Sequence, residues 1–488
     1  MSASHFINGR WIVGDGPPLR SIDPSTGDVC WEGHQATSAD VDAAVAAASR
    51  AFETWSNLEL ESRLAVLQRV VEGYKAGKES LAETICRDTG KPKWEALAEV
   101  DLMVAKLAVS AQAQAERMRE IPRTVAGSRA ITRFKPLGVL AVLGPFNMPG
   151  HLPNGHILPA LLAGNCILFK PSEQAPRVGQ RMAEAVEAAG VPKGVFNLLQ
   201  GGRETGALLA AHRGTAGLLF TGSSAAGIAL NRAIADTPGR ILALEMGGNN
   251  PLVFHDTTNA DAAIATILQS AYATAGQRCS CARRLIVCGH DKAEIVDRLC
   301  ASAKNLRVGL WTDEPQPFMG TVISASAADA LLAAQQRLID AGGLPLLSMR
   351  QSERSAALLS PGLMDVTLIP NRSDEELFGP LLQIIRVPDL GAALDEANRT
   401  AYGLAAGIIT DDESIYRRFF NKVRAGIVNW NRPLTGASSA QPFGGVGMSG
   451  NHRPGAYFAA DYANYPVASL EGDKPQIPSP LPPGMVIL

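Results

Sequence analysis

Cysteine is scarce in this sequence. Seven occur in 488 residues, an odd number at scattered spacings, so the chain carries no disulfide framework. Excess charge of one sign is missing too. Lys plus Arg number 45 against 47 Asp plus Glu, a net charge of −2 that gives no footprint for nucleic acid or an anionic membrane. No long unbroken hydrophobic run is present. The stretch from Pro136 to Phe169 has no Asp, Glu, Lys or Arg, but Pro145, Pro149, Pro153 and Pro159 interrupt it and Asn147, Asn154 and Asn165 punctuate it. Those breaks would leave backbone groups unpaired in hydrocarbon, which excludes a membrane span. The first ten residues lack a charged start followed by an apolar run, so no secretory signal is expected, and the expected compartment is the reducing cytoplasm.

What is present fits a globular protein, with 46% hydrophobic and 19% charged residues. At ~100–200 residues per domain the length allows two to four domains, or two large ones. The first third is helix-rich: Thr37 and Ser38 are N-cap candidates, and Val41, Ala44, Val45, Ala48 and Phe52 follow at helical spacing. A second amphipathic stretch, with Leu64, Leu67, Val71 and Tyr74, reads as scaffold. From residue 137 short apolar runs alternate with helical segments, which predicts a parallel, doubly wound α/β sheet. A second series of this kind begins at Pro251, so a domain boundary is expected near Gly247–Gly248. The Pro-rich tail, with Pro475, Pro478, Pro480, Pro482 and Pro483, reads as extended.

Several short motifs could carry chemistry, and each alone reads two ways. Cys279, in Gly276-Gln-Arg-Cys279, follows a helical pattern that ends at Gly276. It is either an exposed nucleophile, its thiolate favoured by Arg278 and by Arg283 or Arg284, or a buried inert thiol. Cys281 makes a C-x-C pair, but no Cys/His cluster at zinc spacing accompanies it, so no metal is expected. Glu245 ends an apolar strand before Gly247 and Gly248; it is either a general base with a raised pKa or a partner for a surface lysine. Asn147, held between prolines, either donates to an oxyanion or satisfies a turn. Lys170-Pro-Ser-Glu173 either grips a ribose or forms a solvated pair. Gly222, Ser223, Ser224, Ala225, Ala226 and Gly227 follow a strand and open a helix, where small residues let backbone approach a phosphate. Their spacing is neither that of an ATP-type P-loop nor G-x-G-x-x-G, and alone it is a weak signal.

Taken together and in order, these motifs resemble the aldehyde dehydrogenase superfamily across nearly the whole chain. The resemblance starts at Asp23-Pro-Ser-Thr-Gly27 and Thr89-Gly-Lys-Pro92, includes Glu376-Leu-Phe-Gly-Pro380, and ends at Pro442-Phe-Gly-Gly445. More narrowly, Gly150-His-Leu-Pro-Asn-Gly-His156, Cys279-Ser-Cys-Ala-Arg-Arg284 and Asn429-Trp-Asn-Arg-Pro-Leu434 are similar to the N-succinylglutamate 5-semialdehyde dehydrogenases of arginine catabolism. The resemblance implies two doubly wound Rossmann-type domains plus a small β oligomerisation arm. Residues 1–118 and 137–246 would bind NAD, 247–449 would be catalytic, and 119–136 with 450–488 would form the arm and C-terminal tail. It implies Cys279 as nucleophile, Glu245 as base and Asn147 as oxyanion donor. Lys170, Glu173, the 222–227 turn, Glu376 and Phe378 would bind NAD, with Glu173 favouring it over NADP. Arg278, Arg432 and His151 are candidates for a substrate carrying carboxylates. A homodimer or homotetramer is implied, through a protruding strand at 120–132 completed near 457–469.

The chain also departs from the family pattern. Phe146 stands where tryptophan is common, and His452-Arg-Pro454 replaces the frequent Gly-Arg-Glu. That leaves Glu245 as the one obvious base. The rival readings are a dehydrogenase of another semialdehyde such as succinate semialdehyde, a general aldehyde dehydrogenase, a coenzyme-A-acylating enzyme, which would not need Glu245, and a non-catalytic binding protein, which would be expected to lose Cys279 or Glu245.

Overall fold

The computed structural model describes residues 3–125, 128–289, 292–477 and 480–487. Of the segments read from the sequence, residues 126 and 127 in the arm and Pro478 in the tail lie outside that description.

The charge-free stretch before Lys170 folds into a strand, Val139–Leu143, a loop, a helix, His151–Ala163, and a second strand, Cys166–Lys170. Both strands are buried at every residue, as expected of parallel strands covered on both faces. No described helix is long and apolar enough to cross a membrane. These strands are the middle of a seven-stranded sheet. Its order is Ile241–Met246, Gly217–Gly222, Val139–Leu143, Cys166–Lys170, Phe196–Leu198, His5–Ile7, Arg10–Ile12. The first five run parallel, and the N-terminal pair closes one edge antiparallel. Strand order reverses between Val139–Leu143 and Gly217–Gly222, the place where such sheets open a crevice at their carboxyl ends.

A second seven-stranded sheet has the order Leu344–Leu347, Gly362–Asp365, Leu381–Val387, Ala282–Cys288, Asn250–Asp256, Ala405–Thr410, Ile427–Trp430. All of it is parallel except the edge strand Leu344–Leu347. Each sheet has its own apolar core. One core draws on residues between Phe6 and Met246 together with Ala459, Tyr462 and Ala463. The other draws on residues between Leu252 and Leu434. A third, antiparallel sheet has Ser128–Pro136 at its centre, with Ile121–Val125 on one side and Asn464–Glu471 on the other.

Local chemistry explains several element ends. The helix Ser38–Ser56 starts with a capping box: the Thr37 hydroxyl accepts from the Asp40 N–H, and the Asp40 carboxylate accepts from the Thr37 N–H. The helix Lys78–Thr89 stops at Gly90, whose left-handed backbone (φ 70°) turns Lys91 inward, to lie buried at the start of the long helix Lys93–Arg117.

Candidate active site

Four of the predicted motifs come together because four neighbouring parallel strands end side by side. Glu245 lies in Ile241–Met246, opposite Thr221 of the next strand. Gly222 ends that strand, and Ser223 caps the helix Ser224–Ile234, its hydroxyl accepting from the Ala226 N–H. Asn147 follows Val139–Leu143, and Lys170 ends Cys166–Lys170. Ala225 and Ala226 are exposed on the first turn of their helix, while Gly227 is buried: a Cβ there would sit 2.3 Å from the Met246 sulfur. Lys170 Nζ donates to the carbonyls of Pro171 and Gly201, both at 2.7 Å, and stands 3.6 Å from the half-exposed Glu173 carboxylate.

The predicted nucleophile comes from the second sheet, three residues before Ala282–Cys288 begins. Its preceding helix ends at Tyr272, not at Gly276 as the periodicity suggests. Thr274, Ala275 and Gly276 then take left-handed backbone, with φ of 54°, 51° and 70°. That conformation is unfavourable for a β-branched residue. It is held from outside. Glu95 Oε1 accepts from the Thr274 N–H at 3.0 Å and hydroxyl at 2.9 Å, and Arg278 Nε donates to the same hydroxyl at 2.8 Å. Gly276 is required by space as well as by φ, since a Cβ would lie 2.0 Å from the Gly379 carbonyl oxygen. Asn250 Nδ2 then donates to the carbonyls of Cys279 (2.6 Å) and Cys281 (2.8 Å), tying the Cys279 loop to the neighbouring strand.

Cys279, Glu245, Asn147, Arg278 and His151 line one cavity. Its electrostatics correct the expectation of a thiolate. The Cys279 thiol is pushed up to about 12 by burial, with Glu376 and Glu245 adding to the rise and Arg283 opposing it. The neighbouring arginines are spent on structure. Arg278 pairs with Glu95 at 2.9 Å, Arg283 bonds the carbonyls of Gly276 and Arg278, and Arg284 bonds those of Asn249, Glu396 and Ala397. Burial also raises the Glu245 carboxyl well above its usual range, and the Gly455 N–H, 2.8 Å from Oε1, offsets part of that. Its Oε2 is buried with no hydrogen-bond partner among the described residues. Beside it, His156 Nε2 bonds the Thr221 hydroxyl and Nδ1 bonds the Tyr462 hydroxyl, and burial lowers this imidazole to about 3.

Glu376 is largely enclosed. Its carboxylate stands 3.6 Å from Arg283 and fills the space beside Gly247, where a Cβ would be 1.7 Å away. Phe378 meets Phe146 edge to face at 5.8 Å, with the Arg283 guanidinium 5.2 Å from its ring. Of the three substrate candidates, His151 and Arg278 face the cavity, whereas Arg432 is exposed and outside its lining. Its place in Asn429-Trp-Asn-Arg-Pro-Leu434 does not bring it to the site. Among the described residues no group of three or more metal-ligating side chains occurs.

Sequence reasoning missed the contribution of the helix Lys93–Arg117. Glu95 braces the strained turn. Glu99 Oε1 accepts from the Gly150 N–H at 2.9 Å and the His151 N–H at 3.1 Å, at the start of the helix after the Asn147 loop. Lys91 forms a buried 2.6 Å ion pair with Glu99 and donates to the Asn147 carbonyl at 2.6 Å. Lys106 lines the cavity itself. The available signal was three charged residues, Glu95, Glu99 and Lys106, on an otherwise apolar face of this helix, with Lys91 just before it.

The aldehyde dehydrogenase family model matches residues 11–466. The chain is 52% identical over 486 residues to the N-succinylglutamate 5-semialdehyde dehydrogenase of Ectopseudomonas mendocina, covering 99% of this chain and all of that one. It is 53% identical over 485 residues to the protein of the same name from Hahella chejuensis, covering 99% of each. Among solved structures, PnpE from Pseudomonas sp. WBC-3 superposes with a TM-score of 0.92 at 30% identity, over 98% of this chain and 99% of that one. The same protein has been solved in complex with nicotinamide adenine dinucleotide, with a TM-score of 0.91 at 30% identity, over the same shares of the two chains. The chain belongs to the aldehyde dehydrogenase family.

Proposed function

We propose that this chain oxidises N-succinyl-L-glutamate 5-semialdehyde to N-succinyl-L-glutamate with NAD, in the cytoplasm, as a homodimer or homotetramer. The reaction rests on one observation: a half-buried cysteine, an asparagine and a buried carboxyl with one oxygen unbonded among the described residues line one cavity between the two sheets. The substrate rests on two full-length relatives above half identity that carry this activity in their names.

Cys279 is the nucleophile. Because its thiol is neutral at rest, the Sγ–carbon bond forms as the proton leaves sulfur for ionised Glu245. The negative charge that develops on the aldehyde oxygen falls to the Asn147 amide and the Cys279 N–H; losing one such donor costs roughly 3 kcal/mol. NAD fits the carboxyl edge of the first sheet. Lys170 and Glu173 would hold its adenosine ribose, the Gly222–Gly227 turn and its helix N-terminus the pyrophosphate, and Glu376 with Phe378 the nicotinamide end. Glu376 Oε1, buried with no hydrogen bond from the described residues and with the Arg283 guanidinium at 3.6 Å, has a lone pair to offer a ribose hydroxyl. The chemistry a bound nicotinamide contributes is acceptance of a hydride from the tetrahedral carbon. Glu245 releases the thiol's proton to solvent before it takes one from the water that frees the acid from sulfur, and the departing sulfur regains a proton. Glu245 also argues against a coenzyme-A-acylating reaction, which needs no such base.

The arm supports the assembly. Ile121–Val125 is exposed at every residue and leaves a strand edge open, as does Asn464–Glu471 on the other side. All seven cysteines are free, which suits a reducing compartment.

The test is NADH formation from N-succinylglutamate semialdehyde against succinate semialdehyde and a simple aliphatic aldehyde. A kcat/KM preference of ~100-fold, about 2.7 kcal/mol, is expected for the succinylated substrate. Comparable rates on all three would withdraw the substrate and leave the dehydrogenase chemistry standing.

A further inference from the structure

The substrate proposed above is a dicarboxylate, and none of the three carboxylate-binding candidates read from the sequence offers an unspent cation. Arg278 is paired with Glu95, His151 is neutral, lowered to about 3 by burial and by nearby Lys106, Arg278 and Lys91, and Arg432 lies outside the cavity. Lys106 is different. It projects from the middle of the helix Lys93–Arg117 into the cavity and is only 3% exposed. Its ammonium has a single hydrogen-bond partner among the described residues, the Ser439 hydroxyl at 3.2 Å. Every other buried or half-buried cation at this site meets a carboxylate or a set of carbonyls: Lys91 has Glu99, Arg278 has Glu95, and Arg283 has Glu376. Burial lowers the Lys106 ammonium to about 8, with no acidic neighbour to offset the loss of water.

An isolated buried charge is costly, and it persists where a ligand of opposite sign completes it. The neighbouring helix makes room for such a ligand. Gly155 stands beside the lysine, and a Cβ there would lie 3.7 Å from Lys106 Cε and 3.8 Å from Nζ. Ser438 and Ser439, on the loop facing that helix, add hydroxyl donors to the same wall.

We infer that Lys106, with the Ser439 hydroxyl, is the receptor for a carboxylate of the substrate and sets the enzyme's preference for an anionic aldehyde. This rests on the substrate reading above and names the residue that would enforce it. Carboxylate and ammonium meet in a water-poor pocket, where a charge-assisted hydrogen bond is strongest. An aldehyde without the carboxylate would leave the ammonium uncompensated.

The test measures kcat/KM for N-succinylglutamate semialdehyde and for butanal in the wild type, Lys106→Met, Lys106→Gln and Lys106→Arg. The Gln variant keeps a donor for Ser439 without the charge, so it stands in if the Met variant fails to fold. The ratio of the two kcat/KM values is expected to fall ~100-fold in Met and Gln and to recover in part in Arg. N-acetylglutamate semialdehyde, which lacks the succinyl carboxylate, identifies the group bound. If it too depends on Lys106, the α-carboxylate is held; if it does not, the succinyl carboxylate is held. A lysine that merely braced the Ser439 loop would lower both rates alike, leaving the ratio unchanged and overturning the inference. A wild type with no preference for the succinylated aldehyde would remove the substrate reading and this inference with it.

Discussion

Burial pushes the Cys279 thiol up to about 12, because the cavity strips water from a thiolate. Glu245 faces the same problem with the opposite consequence: its carboxyl is held neutral where an exposed glutamate would be ionised. Turnover therefore rises with pH as Glu245 loses its proton. The Cys279→Ala protein is expected to lose turnover and still bind NAD, read by quenching of tryptophan fluorescence; retained turnover would remove Cys279 as nucleophile. In Glu245→Gln, both the first-turnover NADH burst and steady-state turnover should fall ~100-fold or more, because the thiol loses its proton acceptor and the thioester its base. The same variant has a stability signature. Folded Glu245 holds a proton that the unfolded chain releases near its ordinary value of 4.5. The folded state thus binds more protons, and stability falls as pH rises from that value through the folded pKa. Glutamine abolishes the slope, so Glu245→Gln should melt above the wild type at pH 8, with the gap closing by pH 5. Equal melting temperatures at both pH values would mean that burial does not tax this carboxyl.

The helix Lys93–Arg117, with Lys91 just before it, does for the site what no loop motif does: three buried charges, Lys91, Glu95 and Glu99, fix two backbone segments. Glu99→Gln leaves Lys91 buried without its counter-charge, which should cost about 3–5 kcal/mol. It also loosens the Asn147 loop, so kcat should fall at saturating substrate. Asp101→Asn on the same helix breaks the exposed pair with Lys78 and should cost under ~1 kcal/mol. Urea melts and saturation kinetics on the two variants separate bracing from surface charge. This helix also marks how far the sequence could be read. The strands after residue 137 were legible because their apolar runs are short, fully buried and bounded by Gly and Pro; Cys279, Glu245 and Asn147, singled out by their motifs, line one cavity. Lys91, Glu95, Glu99 and Lys106 were not legible, since a charged residue on a helix usually faces water, and the sequence does not say which face is buried. Arg432 differs in the opposite sense: its motif was in view, yet it is exposed and outside the cavity lining. The thiolate expectation failed because adjacency in sequence places Arg278, Arg283 and Arg284 near Cys279 without saying that carbonyls and Glu95 already occupy them.

Across the whole molecule, the three-stranded arm stands apart from both cores and presents apolar side chains on exposed strands, Ile121 and Val125 on one edge and Leu470 on the other. Lysine at positions 121 and 125 should shift the assembly toward monomer by light scattering; an unchanged mass would place the interface elsewhere. The two sheets carry different halves of the site. Asn147 and Glu245 belong to the carboxyl edge of one, and Cys279 to the amino edge of the other, with Asn250 and Glu95 stitching the nucleophile's turn in place from either side. On the mechanism proposed above, catalysis is therefore the most fragile property of the chain, because Cys279 shares no scaffold with Glu245 and Asn147. A slight parting of the seam separates base from sulfur while every strand and helix keeps its hydrogen bonds. Activity then works as an alignment gauge: in rising urea it should vanish well before far-ultraviolet circular dichroism changes, and return within the dead time of dilution.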